Sequence, residues 1–173
     1  MTVLVVMGVS GSGKSTLAAL LAGRLGWDLQ EGDDLHPPAN VAKMHAGHPL
    51  TDEDRWPWLD DVAAWIRART STGRPGVITC SALRRIYRDR LRGDPPDPDV
   101  VFVHVAGSRE LLADRLRART GHYMPAALLD SQLATLEEPG PDENVVTVDA
   151  AGTPAAMATE VVTRLGLRPA PPP

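Results

Sequence analysis

Short β-branched runs alternate with helix-period segments along the whole chain. VLVVMG at 3–8 is an apolar run that stops at glycine, as buried strands do. From Lys14, KSTLAALLAGRLG keeps apolar residues at helical spacing and ends at Gly26. WDLQEGDD is a shorter, more polar strand candidate, and DEDRWPWLDDVAAWIRART a helix with acids in its first turn and bases in its last, matching the helix dipole. PGVITCSAL predicts a third strand and RRIYRDRLRG the next helix. After the loop DPPDPD come the strand VVFVHVAG and the helix SRELLADRLRART. Pro125 opens the helix PAALLDSQLATLEE, NVVTVD is the fifth strand, and TPAAMATEVVTRLG closes the fold before a Pro-rich tail.

Five strands separated by helices predict an α/β fold: a five-stranded parallel sheet with helices on both faces, joined by right-handed crossovers. Ligands in such folds bind beyond the carboxyl ends of the strands. The chain of 173 residues suits one compact domain over 1–166, with 167–173 expected to be loose. The segment 34–75 after the second strand and the segment 119–131 after the fourth carry more charge than plain connections need.

Composition narrows the functional classes. A net charge of −4 without a block of Lys or Arg argues against nucleic acid or an anionic membrane as partner. One Phe and two Tyr leave little for stacking bases. The lone cysteine, Cys80, fits a reducing compartment, and the first apolar run is too short for a signal or a membrane span, so the expected location is cytoplasmic.

The sharpest motif lies between the first strand and first helix. Gly8-Val9-Ser10-Gly11-Ser12-Gly13-Lys14-Ser15, followed by Thr16, fits G-x-x-x-x-G-K-[ST]. Such a loop aims backbone N–H groups at phosphates, Lys14 adds charge on the β- and γ-phosphates, and the Ser15 hydroxyl is a Mg²⁺ ligand. The expected ligands are ATP and Mg²⁺. No N-K-x-D guanine motif occurs, and Asp149-Ala-Ala-Gly152 comes too late in the strand order for a switch or Walker B role. These features point to a small-molecule or nucleoside monophosphate kinase.

Acceptor-side candidates follow the other strands. Asp33 lies near the end of the second strand, where a carboxylate accepts a hydroxyl proton, holds Mg²⁺ through water, or both; Glu31 is a second candidate for the metal's outer shell. His36, His45 and His48 match no zinc spacing. His36 reads equally as a polar substrate contact or a structural residue, and Lys43 and Arg55 as substrate cations or solvated charges. Trp56 and Trp58 read as packing anchors. Ser81 ends the third strand, and Arg84 opens the next helix, where a cation wants an anion nearby: an acidic acceptor or a local acid. Arg115 and Arg119 share a helix face, suited to adenine stacking and phosphoryl neutralisation. Gly121 is a hinge candidate for a water-excluding lid.

Taken together, MGVSGSGKS, Gly32-Asp33-Asp34-Leu35-His36-Pro37, KMHAGHPLTDEDRWPWL, CSALRRIYRDRLR and RLRARTGHYMPAALLDSQLATLEEP resemble the bacterial-type gluconokinases, relatives of shikimate and adenylate kinases. The resemblance runs to about Gly166, with Tyr123 where the family often has Phe. It implies a nucleoside-monophosphate-kinase-like fold and phosphorylation of D-gluconate by ATP to 6-phosphogluconate. It also implies Mg²⁺ dependence and a homodimer. By position it implies Asp33 at the acceptor hydroxyl, Arg115 and Arg119 on the nucleotide, and Arg55 at the substrate carboxylate. A kinase for another hydroxy acid or a nucleoside monophosphate, and a non-catalytic ATP-binding module, are the competing readings; the residues alone do not select gluconate.

Overall fold

The computed structural model describes residues 2–118 and 126–171. Among these, the strands β1 (Val3–Met7), β2 (Asp28–Gln30), β3 (Gly76–Thr79), β4 (Val100–Ala106) and β5 (Val145–Asp149) form one sheet in the order β2-β3-β1-β4-β5. Every pairing is parallel, with Val3 opposite both Gly76 and Val100, and Phe102 opposite Val145. The helices are α1 (Lys14–Leu25), α2 (Pro38–His45), α3 (Asp52–Ser71), α4 (Arg85–Arg92), α5 (Arg109–Ala118), α6 (Ala126–Thr135) and α7 (Pro154–Arg164).

The run VLVVM is apolar throughout because both faces of its strand are covered. Successive side chains point to opposite faces. Leu4 and Val6 pack with Leu17 and Leu21 of α1 and Met157 and Val161 of α7. Val3, Val5 and Met7 pack on the other face with Trp58, Leu59 and Ile66 of α3 and Tyr87 and Leu91 of α4. β1 thus sits fully buried at the centre and delivers the glycine-rich loop from its carboxyl end.

Three local features depart from the pattern-based reading. The second strand pairs only over Asp28–Gln30, because at Gly32 the chain turns into a 3₁₀ segment, Gly32–Leu35. A short helix, α2, begins at Pro38, where no helix was expected; proline suits the first turn, and buried Asn40 donates to the Asp54 carbonyl at 2.8 Å. The tail expected to be loose from residue 167 is held further: Leu167 packs on the core, and the Ala170 N–H donates to the Arg24 carbonyl at 2.8 Å. The long helix α3 starts as its acids imply, with a reciprocal cap. The Thr51 hydroxyl accepts from the Asp54 N–H at 3.2 Å, and the Asp54 carboxylate accepts from the Thr51 N–H at 2.9 Å.

Among the described residues one ion pair is wholly buried. Arg88 of α4 meets Glu143 in two bonds, 2.6 and 3.0 Å, and its other terminal nitrogen donates to the Ala82 and Leu83 carbonyls, each at 3.1 Å. Glu143 also accepts from the Gly140 N–H at 2.8 Å. The pair clamps the loop after β3 to the loop before β5. Burial pushes the Glu143 carboxyl up, but the Arg88 and Gly140 hydrogen bonds outweigh it, and the net shift is below the ordinary value of 4.5. A native value lowered in this way contributes stability above the ordinary range and loses it as pH falls through the native value. Glu143→Gln should therefore cost about 3 kcal/mol at pH 7, and the gap to wild type should close as pH falls below about 4.5. Urea midpoints across pH test this; equal midpoints at pH 7 would count against the clamp.

Candidate active site

The loop 8–15 leaves the carboxyl end of β1 and enters α1. Gly13 caps the helix in the left-handed region, φ 96°, and supplies no side-chain cap. The N-terminus of a helix favours an anion. Lys14 Nζ lies in the loop, 3.0 Å from the Val9 carbonyl. Ser15 Oγ donates to Glu31 at 3.0 Å, and Thr79 Oγ1 donates to the same carboxylate oxygen at 2.6 Å.

Glu31 and Asp33 flank Gly32, whose place is set by backbone contact. Its N–H donates to Thr79 Oγ1 at 3.0 Å, and its carbonyl accepts from Trp58 Nε1 at 2.8 Å. A Cβ on residue 32 would stand 1.9 Å from the Thr79 carbonyl oxygen. Only glycine fits. The turn leaves the Asp33 carboxylate 87% exposed, with His36 Nε2 3.8 Å away.

His36 itself is covered. Its ring stacks on Trp58 with centroids 4.0 Å apart, and Nδ1 lies 3.4 Å from Asn40 Nδ2. Burial pushes its pKa down; Asp33 opposes that shift and Arg55 adds to it. Arg55 Nη1 donates to Tyr87 Oη at 3.1 Å, and the Tyr87 hydroxyl donates to Asp52.

These side chains meet around a cavity of about 290 Å³. Of the residues singled out from the sequence, Ser10, Gly11, Gly13, Lys14 and Ser15 line it from the loop, and Asp33, His36, Arg55 and Ser81 from the other side. Gly8 supports it from behind, its N–H on the Ser81 carbonyl at 3.3 Å; Val9 and Ser12 are buried, and Thr16 faces solvent on α1. Arg115 reaches the back of the loop, donating to the Ser12 carbonyl at 3.1 Å and to the Ala150 carbonyl. Two acceptor-side cations do not line the cavity. Lys43 is paired with Asp54 at 2.7 Å. Arg84 is held by Asp52 at 2.8 Å and Glu137 at 3.5 Å beside an adjoining cleft, so local acids satisfy the charge expected to seek an acidic acceptor. Arg119 and the hinge candidate Gly121, with residues 119–125 of the expected lid 119–131, lie outside the described residues.

A larger open groove of about 530 Å³ between α1 and α7 holds no loop residue, and its charged groups already have partners, Arg164 on Glu160 and Arg24 on Thr159. Asp149 accepts from the Ala151 N–H at 2.8 Å in a turn, consistent with setting Asp149–Gly152 aside. Cys80 lines the cavity, but burial pushes its thiol up to about 12, so no thiolate nucleophile is available.

Sequence reasoning missed Thr79, Trp58 as a cavity wall, and Gln132. Thr79 could have been found as the polar end of an apolar strand. Gln132 carries no local signal: it meets Ser10 from 122 positions away.

A protein-family description, "AAA domain", matches residues 3–139. A gluconokinase of Gluconobacter oxydans is 57% identical over 159 residues, spanning 92% of this chain and 88% of that protein. Among solved structures, an unliganded sugar kinase from a Janibacter species superposes with a TM-score of 0.89 at 47% identity, covering 96% of this chain and 95% of that one. A gluconokinase from Sinorhizobium meliloti gives 0.86 at 45% identity, covering 95% and 91%.

The covered His36 should titrate below its ordinary 6.5 and be neutral at pH 7. Because Asp33 raises that value, Asp33→Asn should move it lower still. Ring-proton NMR against pH reads both shifts; an upward shift in the variant would refute the pairing.

Proposed function

The chain belongs to the gluconokinase family, and from that premise we propose that it transfers the γ-phosphoryl group of ATP to the terminal hydroxyl of D-gluconate, giving 6-phospho-D-gluconate and ADP. The observation that carries this reading is one cavity with a phosphate loop on one wall and Asp33, His36 and Arg55 on the other. The loop N–H groups and the start of α1 receive the phosphates, and Lys14 stabilises charge on the transferring group. Asp33 takes the proton of the attacking hydroxyl. His36, kept neutral, hydrogen-bonds the polyol, with Ser81 beside it. Arg55 meets the substrate carboxylate from across the cavity. Arg115 braces the loop, and Arg119 completes the nucleotide side as the lid closes over 119–131. The segment 34–75 then serves as the acceptor-binding insertion.

Magnesium fits the donor set. Ser15, Glu31 and Asp33 offer oxygen alone, and among the described residues no cluster of three His, Cys, Asp or Glu could hold a metal unaided. Mg²⁺ needs no more, because it keeps several waters and shares the phosphates. Ser15 would hold it directly, with Glu31 and Asp33 through water, and its charge would neutralise the phosphate oxygens. A homodimer in the cytoplasm belongs to the same reading. Among the described residues no helix is long and apolar enough to cross a membrane.

Coupled ADP release with Mg·ATP should be strong with D-gluconate and weak with shikimate, AMP or no acceptor. Turnover on another acceptor would replace the substrate, and ATP binding without any turnover would favour a binding module. Lys14→Ala should lower turnover ~10²-fold or more. Asp33→Asn should lose kcat while keeping ATP affinity; an unchanged kcat would remove Asp33 as the base.

A further inference from the structure

The tip of the phosphate loop is gripped by a residue far away in the chain. The Ser10 N–H donates to Gln132 Oε1 at 2.7 Å, and Gln132 Nε2 donates to Ser10 Oγ at 3.2 Å. Gln132 stands on α6, which is anchored on both sides. Leu129 is buried with Val9, Leu83, Leu112 and Leu116. Asp130 takes a two-point ion pair from Arg109 of α5, at 2.6 and 3.0 Å. The amide is therefore presented from a fixed helix, into the cavity that also holds Lys14 and Asp33.

The chemistry of the head group matters. A primary amide has two N–H donors and one carbonyl acceptor on a single plane. The carbonyl and one hydrogen are spent on Ser10. Among the described residues the second hydrogen has no protein acceptor, although the head lines the cavity. A carboxylate at this place could hold the Ser10 N–H but could donate nothing. Ser10 is also four residues ahead of the helix start that seats a phosphate, so the tip reaches a phosphate beyond the one on α1.

We propose that Gln132 is a positioning residue for the terminal phosphoryl group: it locks Ser10 at the loop tip and offers its remaining N–H to the γ-phosphate. The proposal rests on the nucleotide reading of the cavity and not on the identity of the acceptor. Its signature is discrimination between nucleoside tri- and diphosphate, because only the former carries the group that Gln132 meets.

The test is calorimetric binding of ADP and of the non-hydrolysable β,γ-imido analogue of ATP, with Mg²⁺, to wild type and two variants. Gln132→Met keeps the volume and removes every side-chain hydrogen bond. It should weaken the analogue by about tenfold and leave ADP within about twofold of wild type. Gln132→Glu keeps an acceptor for Ser10 but has no donor and adds a negative charge. It should weaken the analogue further, and it gives the same reading if the Met variant does not fold. Parallel losses for both nucleotides would show a scaffold role and overturn the proposal alone, as would no loss for either. Wild type that binds neither nucleotide would overturn the cavity's reading and the proposal together.

Discussion

The site depends on how closely the chain at Gly32 approaches the end of β3. With a Cβ position 1.9 Å from the Thr79 carbonyl oxygen, no side chain fits there without moving one segment off the other. The contact is also bonded on both of its polar groups, the N–H to Thr79 and the carbonyl to Trp58. Because successive residues around this turn are fixed by their backbone, Glu31 is carried onto Ser15 and Asp33 into the cavity. A peptide segment placed by its own N–H and C=O groups is held more tightly than one placed by a long side chain, which must first lose its rotamer freedom. Thr79 serves twice, accepting from Gly32 and donating to Glu31.

That junction works only because the sheet beneath it is rigid. β1 is buried on both faces and is flanked by β3 and β4. The loop follows β1 and the Gly32 turn follows β2, and β3 is hydrogen-bonded to both of those strands. Trp58 ties this geometry to α3. It packs in the core below the sheet, bonds Gly32 and stacks on His36. The aromatic residue is at once a packing anchor and a wall of the cavity.

The distribution of charge separates the cavity from its surroundings. Outside it, three cations are matched by acids: Lys43 with Asp54, Arg84 with Asp52 and Glu137, and Arg90 with Asp60. Within it, Glu31 accepts from two hydroxyls, those of Ser15 and Thr79. The Lys43–Asp54 pairing holds the Asp54 carboxyl down to about 2, so the pair stays charged through the neutral range.

Much of this was legible in the linear order. The five apolar runs, the helix period between them and the glycine-rich motif determined a parallel α/β sheet with a phosphate loop after its first strand, because periodicity and glycine spacing are local properties. The acids before Trp56 marked the start of α3 for the same reason. Lys43 and Arg84 were legible as cations, yet whether they faced a ligand or an acid depended on Asp54, Asp52 and Glu137, all remote in the chain or on another turn. The short extent of β2, the helix at Pro38, the double use of Thr79 and the grip of Gln132 on Ser10 were decided by tertiary structure alone. Each is a contact between segments whose sequences carry no trace of one another, and only the folded sheet brings them within hydrogen-bond distance.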